Sequence, residues 1–424
     1  MKILEIYIDG YRNIKNTRLS LNTPIVVLLS QNNFGKTNLI EGIFYGFRFL
    51  CLSLKRADEY IRVADYENSF EDEKHNFTFE VTFETNSDKI YRYKYSLGFH
   101  KYFDARCICE EELYFKNSNS DSEYEPILVR DSDSPDSAEL FSYKNKSKKT
   151  QKKYNFTKNT IAAFAKPFLH AFGEIALEGD SSISRFAELY SVELRDIFQE
   201  VYMNLVQGET IGEILIDETT NLQNFSELAE SLLLLNGDAY AQFENTFKSL
   251  FPSYSNVRVE KDAADNPYLV FTKKHSGKKE TVKTLSFGTR RMLRIIEKVL
   301  LNNSPIVSVE ELENGIHANL YSNVLNNLVK LLNRYNSSTL IITSHSVNLV
   351  NLFTSFQESI YLGLDGYMQK EKGQARFVRF TEKGIIELEK EIENIGAESN
   401  IGSVIYDYIE NEKYSNKMRS WLET

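Results

Sequence analysis

The feature that most constrains the fold is an apolar segment that runs into a glycine-containing loop and then into a helix. Residues 24–29 are apolar, residues 30–37 read Ser-Gln-Asn-Asn-Phe-Gly-Lys-Thr, and apolar residues then recur at helical spacing. A loop in this setting binds phosphate through its backbone N–H groups and the helix dipole. We therefore predict that Lys36 neutralises the phosphates of a nucleotide and that Thr37 binds Mg²⁺. The full pattern begins with glycine where this chain has Ser30, so a plain loop followed by a helix cap is the alternative.

A second apolar segment ends in two carboxylates. Residues 306–309 (Ile-Val-Ser-Val) lead directly into Glu310 and Glu311. Phosphate-loop enzymes use a first acid at such a strand end to hold Mg²⁺ and a second to polarise the attacking water. We predict Glu310 as the metal ligand and Glu311 as the general base. The alternative is a strand that ends in a charged, solvated turn.

Two further segments carry polar groups that suit a phosphate. Ser286 and Gly288 open an amphipathic helix, whose N-terminus favours an anion, although serine is also a common structural cap. His345 lies at the polar end of an apolar segment (residues 340–342, then Thr343 and Ser344), where an imidazole could contact a γ-phosphate or its water. We expect all four segments to converge at the carboxyl edge of a parallel sheet, where ligands bind in α/β folds.

The amino-acid composition limits the cellular compartment and the binding partners that we expect for this chain. The net charge of −10 and the pI near 5.4 exclude a protein that coats nucleic acid by overall charge, while a local DNA-binding surface stays a candidate. The three cysteines, Cys51, Cys107 and Cys109, form no even disulfide framework. The charged, strand-like N-terminus does not resemble a signal peptide, and no apolar stretch reaches the length of a membrane span. We expect a cytoplasmic protein without a membrane partner.

Changes in pattern divide the chain into segments. Apolar alternation around a turn at residues 86–88 predicts a β-hairpin, a lysine-rich stretch at 144–158 predicts a solvated loop, and helical spacing follows with Pro167 as an interruption. The predicted segments are 1–115 (N-terminal lobe with a β-subdomain), 116–158 (exposed loop), 159–237 (helical insertion), 238–364 (C-terminal lobe) and 365–424 (helical tail).

The four polar segments, in this order, resemble the ABC-type ATPase heads of the RecF, SMC and OLD-like (overcoming-lysogenization-defect) proteins. Within that group the chain looks most similar to small prokaryotic ATPases found with phage-defence and abortive-infection systems. The resemblance covers about residues 1–115 and 245–364, and TLSFGTRRML, VEELENGIHANL and IITSHSVNLV are its most specific parts. It implies an α/β fold, namely an ABC-type P-loop ATPase head with an antiparallel β-subdomain and an inserted helical domain.

The resemblance also implies a role for individual residues. Residues 30–37 would be the Walker A loop, residues 286–289 the signature, Glu310 and Glu311 the Walker B pair, and His345 the switch histidine. The expected cofactors are ATP and Mg²⁺. The residues that would bind ATP are Arg12, Asn33, Gly35, Lys36, Thr37, Asn38, Ser286 and Gly288.

The function that the resemblance implies is an ATP-dependent sensor or scaffold in anti-phage defence. A homodimer or higher oligomer would form when Ser286 and Gly288 of one chain close over ATP held by Lys36 of another. It would control a separately encoded effector, for example a TOPRIM nuclease, because residues after 364 lack the paired Asp-x-Asp of such a domain. Two alternatives stay open: a DNA repair or recombination ATPase that binds DNA through residues 144–158, and an ATP-binding scaffold with little turnover.

Three departures from the family pattern predict slow hydrolysis. Ser30 replaces the first glycine of the Walker A loop, and Glu310 replaces the usual aspartate. The glutamine that senses Mg²⁺ and water is also missing, since no glutamine occurs between Gln31 and Gln151.

Overall fold

The computed structural model describes residues 1–31, 34–51, 76–100, 105–118, 123–131, 137–143, 149–155, 167, 197, 200–201, 211–214, 223–235, 237–300, 304–317, 320–335, 338–352, 360–365, 374–395, 400–410 and 421–422. The chain divides into two compact units. The first unit comprises Met1–Asn22, Asn33–Thr210 and Gly363–Phe377, and the second comprises Thr23–Asn32, Ile211–Leu362 and Val378–Thr424.

Strands and helices are numbered in chain order within the described residues. The strands are β1 (Lys2–Asp9), β2 (Thr17–Ser20), β3 (Ile25–Leu29), β4 (Phe77–Glu84), β5 (Lys89–His100), β6 (Ala105–Asn117), β7 (Glu125–Arg130), β8 (Ser137–Tyr143), β9 (Lys149–Asn155), β10 (Ile211–Ile214), β11 (Tyr254–Lys261), β12 (Pro267–Lys273), β13 (Lys279–Thr281), β14 (Ile306–Val309), β15 (Thr339–Thr343), β16 (Ile360–Asp365) and β17 (Ala375–Arg379). The helices are α1 (Lys36–Cys51), α2 (Gln223–Leu234), α3 (Gly237–Leu250), α4 (Phe287–Leu300), α5 (Tyr321–Tyr335), α6 (Val347–Leu352), α7 (Glu382–Ile395) and α8 (Ile401–Glu410), and a short 3-10 helix spans Val282–Thr284.

The first unit is built around an eight-stranded antiparallel sheet. Its strand order is β2-β1-β4-β5-β6-β7-β8-β9, and each neighbouring pair is antiparallel. Strands that follow one another from β4 to β9 are neighbours, as expected when short connections turn the chain back on itself. The hairpin predicted around residues 86–88 joins β4 to β5, and Asp88 takes the positive φ of 55° that suits a turn.

Helix α1 covers the apolar face of this sheet. Alternate residues of β4 point to that face, and Phe79 and Phe83 are fully buried there. The Phe47 and Phe79 rings have their centroids 5.0 Å apart. The close approach depends on Gly46, where a Cβ would lie 2.2 Å from the Phe79 ring and whose carbonyl accepts a hydrogen bond from the Tyr95 hydroxyl at 2.9 Å. This packing fixes the helix whose first residues are predicted to bind phosphate.

Residues 116–158 do not form a single exposed loop, and this sequence prediction is wrong where the structure describes the segment. Strands β7, β8 and β9 extend the antiparallel sheet there, and Ile127, Leu128 and Leu140 are buried. Short apolar runs such as that in EPILVR are separated by polar connections, so the average composition of residues 116–158 does not reveal these strands. Three of the lysines belong to β9, which ends the described sheet.

The second sheet has six described strands in the order β10-β14-β15-β3-β16-β17. The pairs β10–β14, β14–β15, β15–β3 and β3–β16 are all parallel. Every residue of β3, β14 and β15 is buried, which is why these strands read as continuous apolar runs rather than as alternating patterns. The predicted α/β class is confirmed.

The register of this sheet brings three strand ends to one edge. Val309 pairs with Ile342 across β14 and β15, and Thr343 pairs with Leu28 across β15 and β3. Parallel strands share a direction, so the residues that follow β3, β14 and β15 emerge at the same, carboxyl edge. Segments that are hundreds of residues apart in the sequence therefore meet within the second unit.

Most of the predicted helical insertion, residues 159–237, lies outside the described residues. Helix α2 forms where apolar residues recur at helical spacing near its end. Strand β10 interrupts the predicted helical segment and pairs with β14. Its four residues, Ile-Gly-Glu-Ile, are too few for a periodic signal.

A three-stranded antiparallel sheet, β11-β12-β13, precedes α4. The last of these strands ends at Thr281, and the 3-10 helix Val282–Thr284 follows it directly. Gly277 has a φ of 64° in the turn before β13, the conformation that favours glycine.

The predicted helical tail, residues 365–424, contains strand β17 ahead of α7 and α8. Strand β17 adjoins β16, and the Phe380 N–H donates to the Ile360 carbonyl at 3.2 Å. The other boundaries of the five segments stay predictions. Among the helices that the structure describes, none has the length and apolarity needed to cross a membrane.

Candidate functional site

The predicted general base, Glu311, has an unusual backbone conformation in the turn that follows β14. Its φ is 47°, in the left-handed region that costs a non-glycine residue about 1–2 kcal/mol. Two hydrogen bonds hold it there. Its N–H donates to the Thr343 hydroxyl at 2.8 Å, and its carbonyl accepts from the Arg291 guanidinium at 3.0 Å. Strain that neighbouring groups over-determine in this way is typical of functional sites.

Arg291 is a buried cation beside the predicted Walker B carboxylates. Its side chain is inaccessible to solvent, and this burial lowers the pKa of its guanidinium, while Glu313, Glu311 and Glu310 act in the opposite direction. A charge withdrawn from water is retained only where opposite charges or hydrogen bonds compensate it. Arg291 therefore lies in an acidic environment formed by the turn after β14.

The predicted switch histidine follows β15 on the neighbouring strand end. His345 is exposed, whereas Thr343 and Ser344 before it are buried. The backbone N–H of His345 donates to Oε1 of Glu313 at 2.6 Å. Ser346 caps α6, since its hydroxyl accepts from the Leu349 N–H at 3.3 Å. The histidine is thus joined to Glu313 in the turn after β14 on one side and to the start of α6 on the other.

The predicted signature segment forms the start of α4. The Ser286 hydroxyl accepts from the Thr289 N–H at 3.2 Å and lies 2.8 Å from the Thr289 hydroxyl, so Ser286 is the N-cap of its own helix. This is the structural role that the sequence left open for serine. A role of Ser286 and Gly288 toward a nucleotide stays a prediction.

Gly288 contacts the turn after β14 without room for a side chain. A Cβ on Gly288 would lie 2.2 Å from the carbonyl oxygen of Gly315, and Gly315 itself has a φ of 78°. The first turn of α4 therefore fits directly against the turn after β14. The contact requires glycine at both positions, because a Cβ on Gly315 would lie 2.6 Å from the Phe287 ring.

The predicted phosphate-binding residues of the first unit lie at the start of α1. Lys36 is buried in the first turn of the helix, Thr37 is exposed, and the first turn contains no acidic residue. Gly35 has a φ of 120° and its carbonyl accepts the Leu39 N–H at 2.8 Å. The N–H groups of a helix start lack intrahelical acceptors, so this end suits an anion. Asn33 lies outside the described residues.

Arg12 and Asn38, both predicted to bind ATP, are in contact. Arg12 Nη1 donates to Asn38 Oδ1 at 2.8 Å and forms an ion pair with Glu41. Asn38 Nδ2 donates to Asn13 Oδ1 at 2.8 Å, and Asn13 Nδ2 donates to the Phe34 carbonyl at 3.0 Å. The loop around Arg12 is therefore fastened to the first turn of α1 by side-chain hydrogen bonds. Arg12 stays 39% exposed, so its guanidinium can reach a ligand.

The residues present fit a nucleotide with Mg²⁺. Gly35 leaves no space that a side chain could take, because a Cβ there would lie 2.9 Å from Asn13 Oδ1, as expected of a loop shaped for phosphate. Within the described residues no group of three or more His, Cys, Asp and Glu side chains could hold a metal ion. Mg²⁺ usually takes one or two protein ligands together with phosphate oxygens and water, so a cluster of three protein ligands is not required. The assignment of Thr37 and Glu310 to the metal stays a prediction.

The predicted site residues thus fall into two groups. The second unit brings Ser286, Gly288, Glu310, Glu311 and His345 to adjoining segments, and the first unit brings Arg12 to Gly35, Lys36, Thr37 and Asn38. Sequence reasoning missed Asn13, Arg291, Glu313 and Thr343. Arg291, Glu313 and Thr343 had a usable signal, since they stand within the motif strings TLSFGTRRML, VEELENGIHANL and IITSHSVNLV.

Residues 26–351 match a family model described as "AAA domain, putative AbiEii toxin, Type IV TA system". A 45-residue stretch is 40% identical to the DNA replication and repair protein RecF of Natranaerobius thermophilus. That stretch is 11% of this chain and 12% of the relative, so it spans only a small part of RecF.

The solved structures to which the chain is similar include SMC heads. An SMC head domain from Thermotoga maritima has a TM-score of 0.45 at 12% identity and covers 90% of this chain and 100% of its own. An SmcHead bound to the C-winged helix domain of ScpA has a TM-score of 0.42 at 10% identity, with 91% and 100% covered. A Smc head with an extended coiled coil, bound to the C-terminal domain of ScpA derived from Pyrococcus furiosus, has a TM-score of 0.42 at 11% identity, with 92% and 99% covered.

Proposed function

The chain belongs to the family of AAA domains described as putative AbiEii toxins of type IV toxin–antitoxin systems, and from this membership we propose that it is a slow, Mg²⁺-dependent ATPase that works as a cytoplasmic switch. It is an ABC-type ATPase head of the RecF and SMC kind. The observation that carries the proposal is the backbone of Glu311, held in a left-handed conformation by Thr343 and Arg291 at the carboxyl edge of the parallel sheet.

The proposed mechanism assigns one task to each side chain. Lys36 and the start of α1 bind the phosphates, because both present positive charge to an anion. Thr37 and Glu310 would hold Mg²⁺, which neutralises phosphate charge when it is bound. Glu311 accepts a proton from the attacking water, and His345 donates a hydrogen bond to the terminal phosphate.

Hydrolysis by this site is proposed to be slow. Glu310 is one methylene longer than the aspartate that usually holds the metal, so its carboxylate reaches a different position. Slow turnover suits a switch, because ATP that persists keeps the closed state populated. We propose that this closed state is a homodimer or higher oligomer in which Ser286 and Gly288 face the ATP of another copy.

The proposed biological role is control of a separately encoded effector in anti-phage defence. The family description names a toxin of a type IV toxin–antitoxin system, which supports an antagonistic role in the cell rather than housekeeping DNA repair. A TOPRIM nuclease is one candidate effector. Cells that express this protein together with the gene beside its own, which would encode the effector, should resist phage. The Lys36→Ala substitution should abolish the resistance.

Steady-state ATP hydrolysis tests the enzymatic part of the proposal. We expect wild-type activity to be low but measurable, and Lys36→Ala and Glu311→Gln to remove at least 90% of it, as for the loss of a phosphate ligand and a general base. Lys261→Ala is the matched control, since Lys261 pairs with Asp265 in an exposed turn. Light scattering with ATP should show a larger mass for Glu311→Gln than for Lys36→Ala. If the wild-type rate equals that of both site variants, the chain is not an ATPase.

A further inference from the structure

The peptide bond between Ser344 and His345 is held at both of its polar ends. The Tyr406 hydroxyl donates to the Ser344 carbonyl at 3.0 Å, and the His345 N–H of the same peptide donates to Glu313 Oε1 at 2.6 Å. A peptide unit is planar and its C=O and N–H bonds point in opposite directions, so hydrogen bonds to both groups restrain the direction in which the unit points. The direction in which the His345 side chain leaves the backbone is restrained with it.

Tyr406 belongs to α8, which also reaches the loop after β3. Gln31 Nε2 donates to the carbonyl of Ile409 at 2.7 Å, although the two residues are 378 positions apart in the sequence. Ile409 lies in the last turn of α8, where carbonyls lack intrahelical donors, so Gln31 satisfies one of them. The helix therefore contacts the loops that follow both β3 and β15.

The dimensions of α8 match this double contact. Tyr406 and Ile409 are three residues apart, which corresponds to about 4.5 Å along a helix axis. Strands β15 and β3 are neighbours, and adjacent strands lie about 4.8 Å apart. One turn of α8 thus bridges the ends of two adjacent strands, with a hydrogen bond to the loop of each.

Helix α6 fixes where α8 lies. The Gly402 N–H donates to Asn351 Oδ1 at 2.6 Å, and a Cβ on Gly402 would lie 2.5 Å from the Val347 carbonyl oxygen. Val404 and Ile405 are buried. Helix α6 begins two residues after His345, so α8 packs against the segment that directly continues the histidine loop.

We propose that Tyr406 and Glu313 are positioning residues for His345, and that α8 thereby links the histidine loop to the C-terminal part of the chain. The inference rests on the proposed ATPase function and adds a means of regulating it. A displacement of α8 releases the Ser344 carbonyl and lets the peptide rotate. His345 then leaves its position at the terminal phosphate, while Lys36 continues to bind the nucleotide. The turnover number falls and the affinity for ATP does not.

Tyr406→Phe tests this assignment, because it removes one hydroxyl and keeps the ring. Tyr240→Phe is the matched control, since the Tyr240 hydroxyl also donates to a backbone carbonyl, that of Val257 at 2.8 Å, outside the nucleotide motifs. We expect Tyr406→Phe to lower kcat by about fivefold to twentyfold with the Kd of a fluorescent ATP analogue within twofold of wild type. Tyr240→Phe should leave kcat unchanged. Equal kcat values in the two variants would overturn the proposal.

Amide hydrogen exchange separates this inference from the ATPase proposal. Measured without nucleotide, exchange in the peptide that contains His345 should be faster in Tyr406→Phe than in Tyr240→Phe or wild type, because one of two restraints is gone. If the wild-type protein hydrolyses no more ATP than the Lys36→Ala variant, the ATPase proposal fails. Amide exchange is then the only test of the contact between Tyr406 and the Ser344–His345 peptide. Faster exchange in Tyr406→Phe would then support the role of the Tyr406 hydroxyl in restraining the Ser344–His345 peptide, and unchanged exchange would refute it.

Discussion

The Thr343 hydroxyl accepts a hydrogen bond from the backbone N–H of Glu311 at 2.8 Å, across 32 positions of sequence. The bond joins the ends of two neighbouring strands, and Leu312 repeats the connection by donating its N–H to the Thr343 carbonyl at 3.2 Å. The backbone of the residue predicted as general base is therefore fixed to the end of β15, the strand that precedes the predicted switch histidine.

Thr343→Val should impair catalysis more than binding. Valine has the shape of threonine but no hydroxyl, so the Glu311 N–H loses its acceptor, a loss worth about 1–3 kcal/mol where the group is buried. We expect kcat to fall about tenfold while ATP affinity stays within twofold. Thr339→Val is the matched control, because Thr339 lies in the same strand and its hydroxyl bonds the Thr23 carbonyl, at 3.4 Å. A similar kcat in both variants would show that the Glu311 backbone does not depend on Thr343.

Gly288→Ala should destabilise the second unit. The new Cβ would lie 2.2 Å from the Gly315 carbonyl oxygen, a backbone atom that cannot move independently. Overpacking of this kind costs about 1–3 kcal/mol of the free energy of unfolding, measured by urea denaturation. Gly237→Ala is the control, since a Cβ there meets no atom within 4 Å. It should leave stability within about 1 kcal/mol or raise it. Equal stability of the two variants would contradict the tight contact of α4 with the turn after β14.

Arg12→Ala should weaken nucleotide binding. The substitution removes the hydrogen bond to Asn38 and the ion pair with Glu41, which together connect the Arg12 loop to the start of α1. We expect the Kd of a fluorescent ATP analogue to rise about tenfold, with less than a twofold effect from Arg18→Ala. Arg18 is a comparable surface arginine that pairs with Glu5 and Glu80 on the sheet. An unchanged Kd would remove Arg12 from the predicted nucleotide site.

The thiols of Cys107 and Cys109 should react slowly with iodoacetamide in the folded protein. Burial raises the pKa of Cys107 to about 12 and that of Cys109 to about 11, so almost no thiolate is present at pH 8. The raised pKa values also mean that both thiols contribute stability below about pH 9, which is lost as the pH rises further, because the unfolded chain then binds fewer protons. Peptide mass spectrometry should show rapid alkylation only after denaturation. Rapid labelling of either thiol in folded protein at pH 8 would contradict its burial.

Much of the second unit could be predicted from the sequence. The continuous apolar runs of β3, β14 and β15, each followed by polar residues, indicated buried parallel strands, and the α/β class and the family resemblance are confirmed. Such patterns predict only that the polar residues lie at the carboxyl edge of the parallel sheet. Which residues touch there depends on register, because a shift of one position turns every side chain to the other face.

The contacts that orient the site could not be predicted in this way. Gln31 and Ile409 are 378 positions apart, and no local signal connects a phosphate loop to a helix near the end of the chain. The left-handed backbone conformation of Glu311 could not be predicted either, since glutamate has no preference for that conformation. The failure at residues 116–158 had another cause, because lysine and serine in the connections outweighed the short apolar runs of β7 and β8.

The order of the parallel sheet has a consequence for synthesis of the chain. Strand β3 lies between β15 and β16, so neither neighbour exists until residue 339 has been translated. At about 5–20 residues per second, the nascent strand waits roughly 15–60 s with both backbone edges unpaired. The described strands of the antiparallel sheet in the first unit are translated long before then, whereas the carboxyl edge of the parallel sheet can form only after β15 has been translated. A ribosome that stalls before β15 would release a polypeptide whose most apolar strand has no partner, and such a fragment should aggregate or require a chaperone.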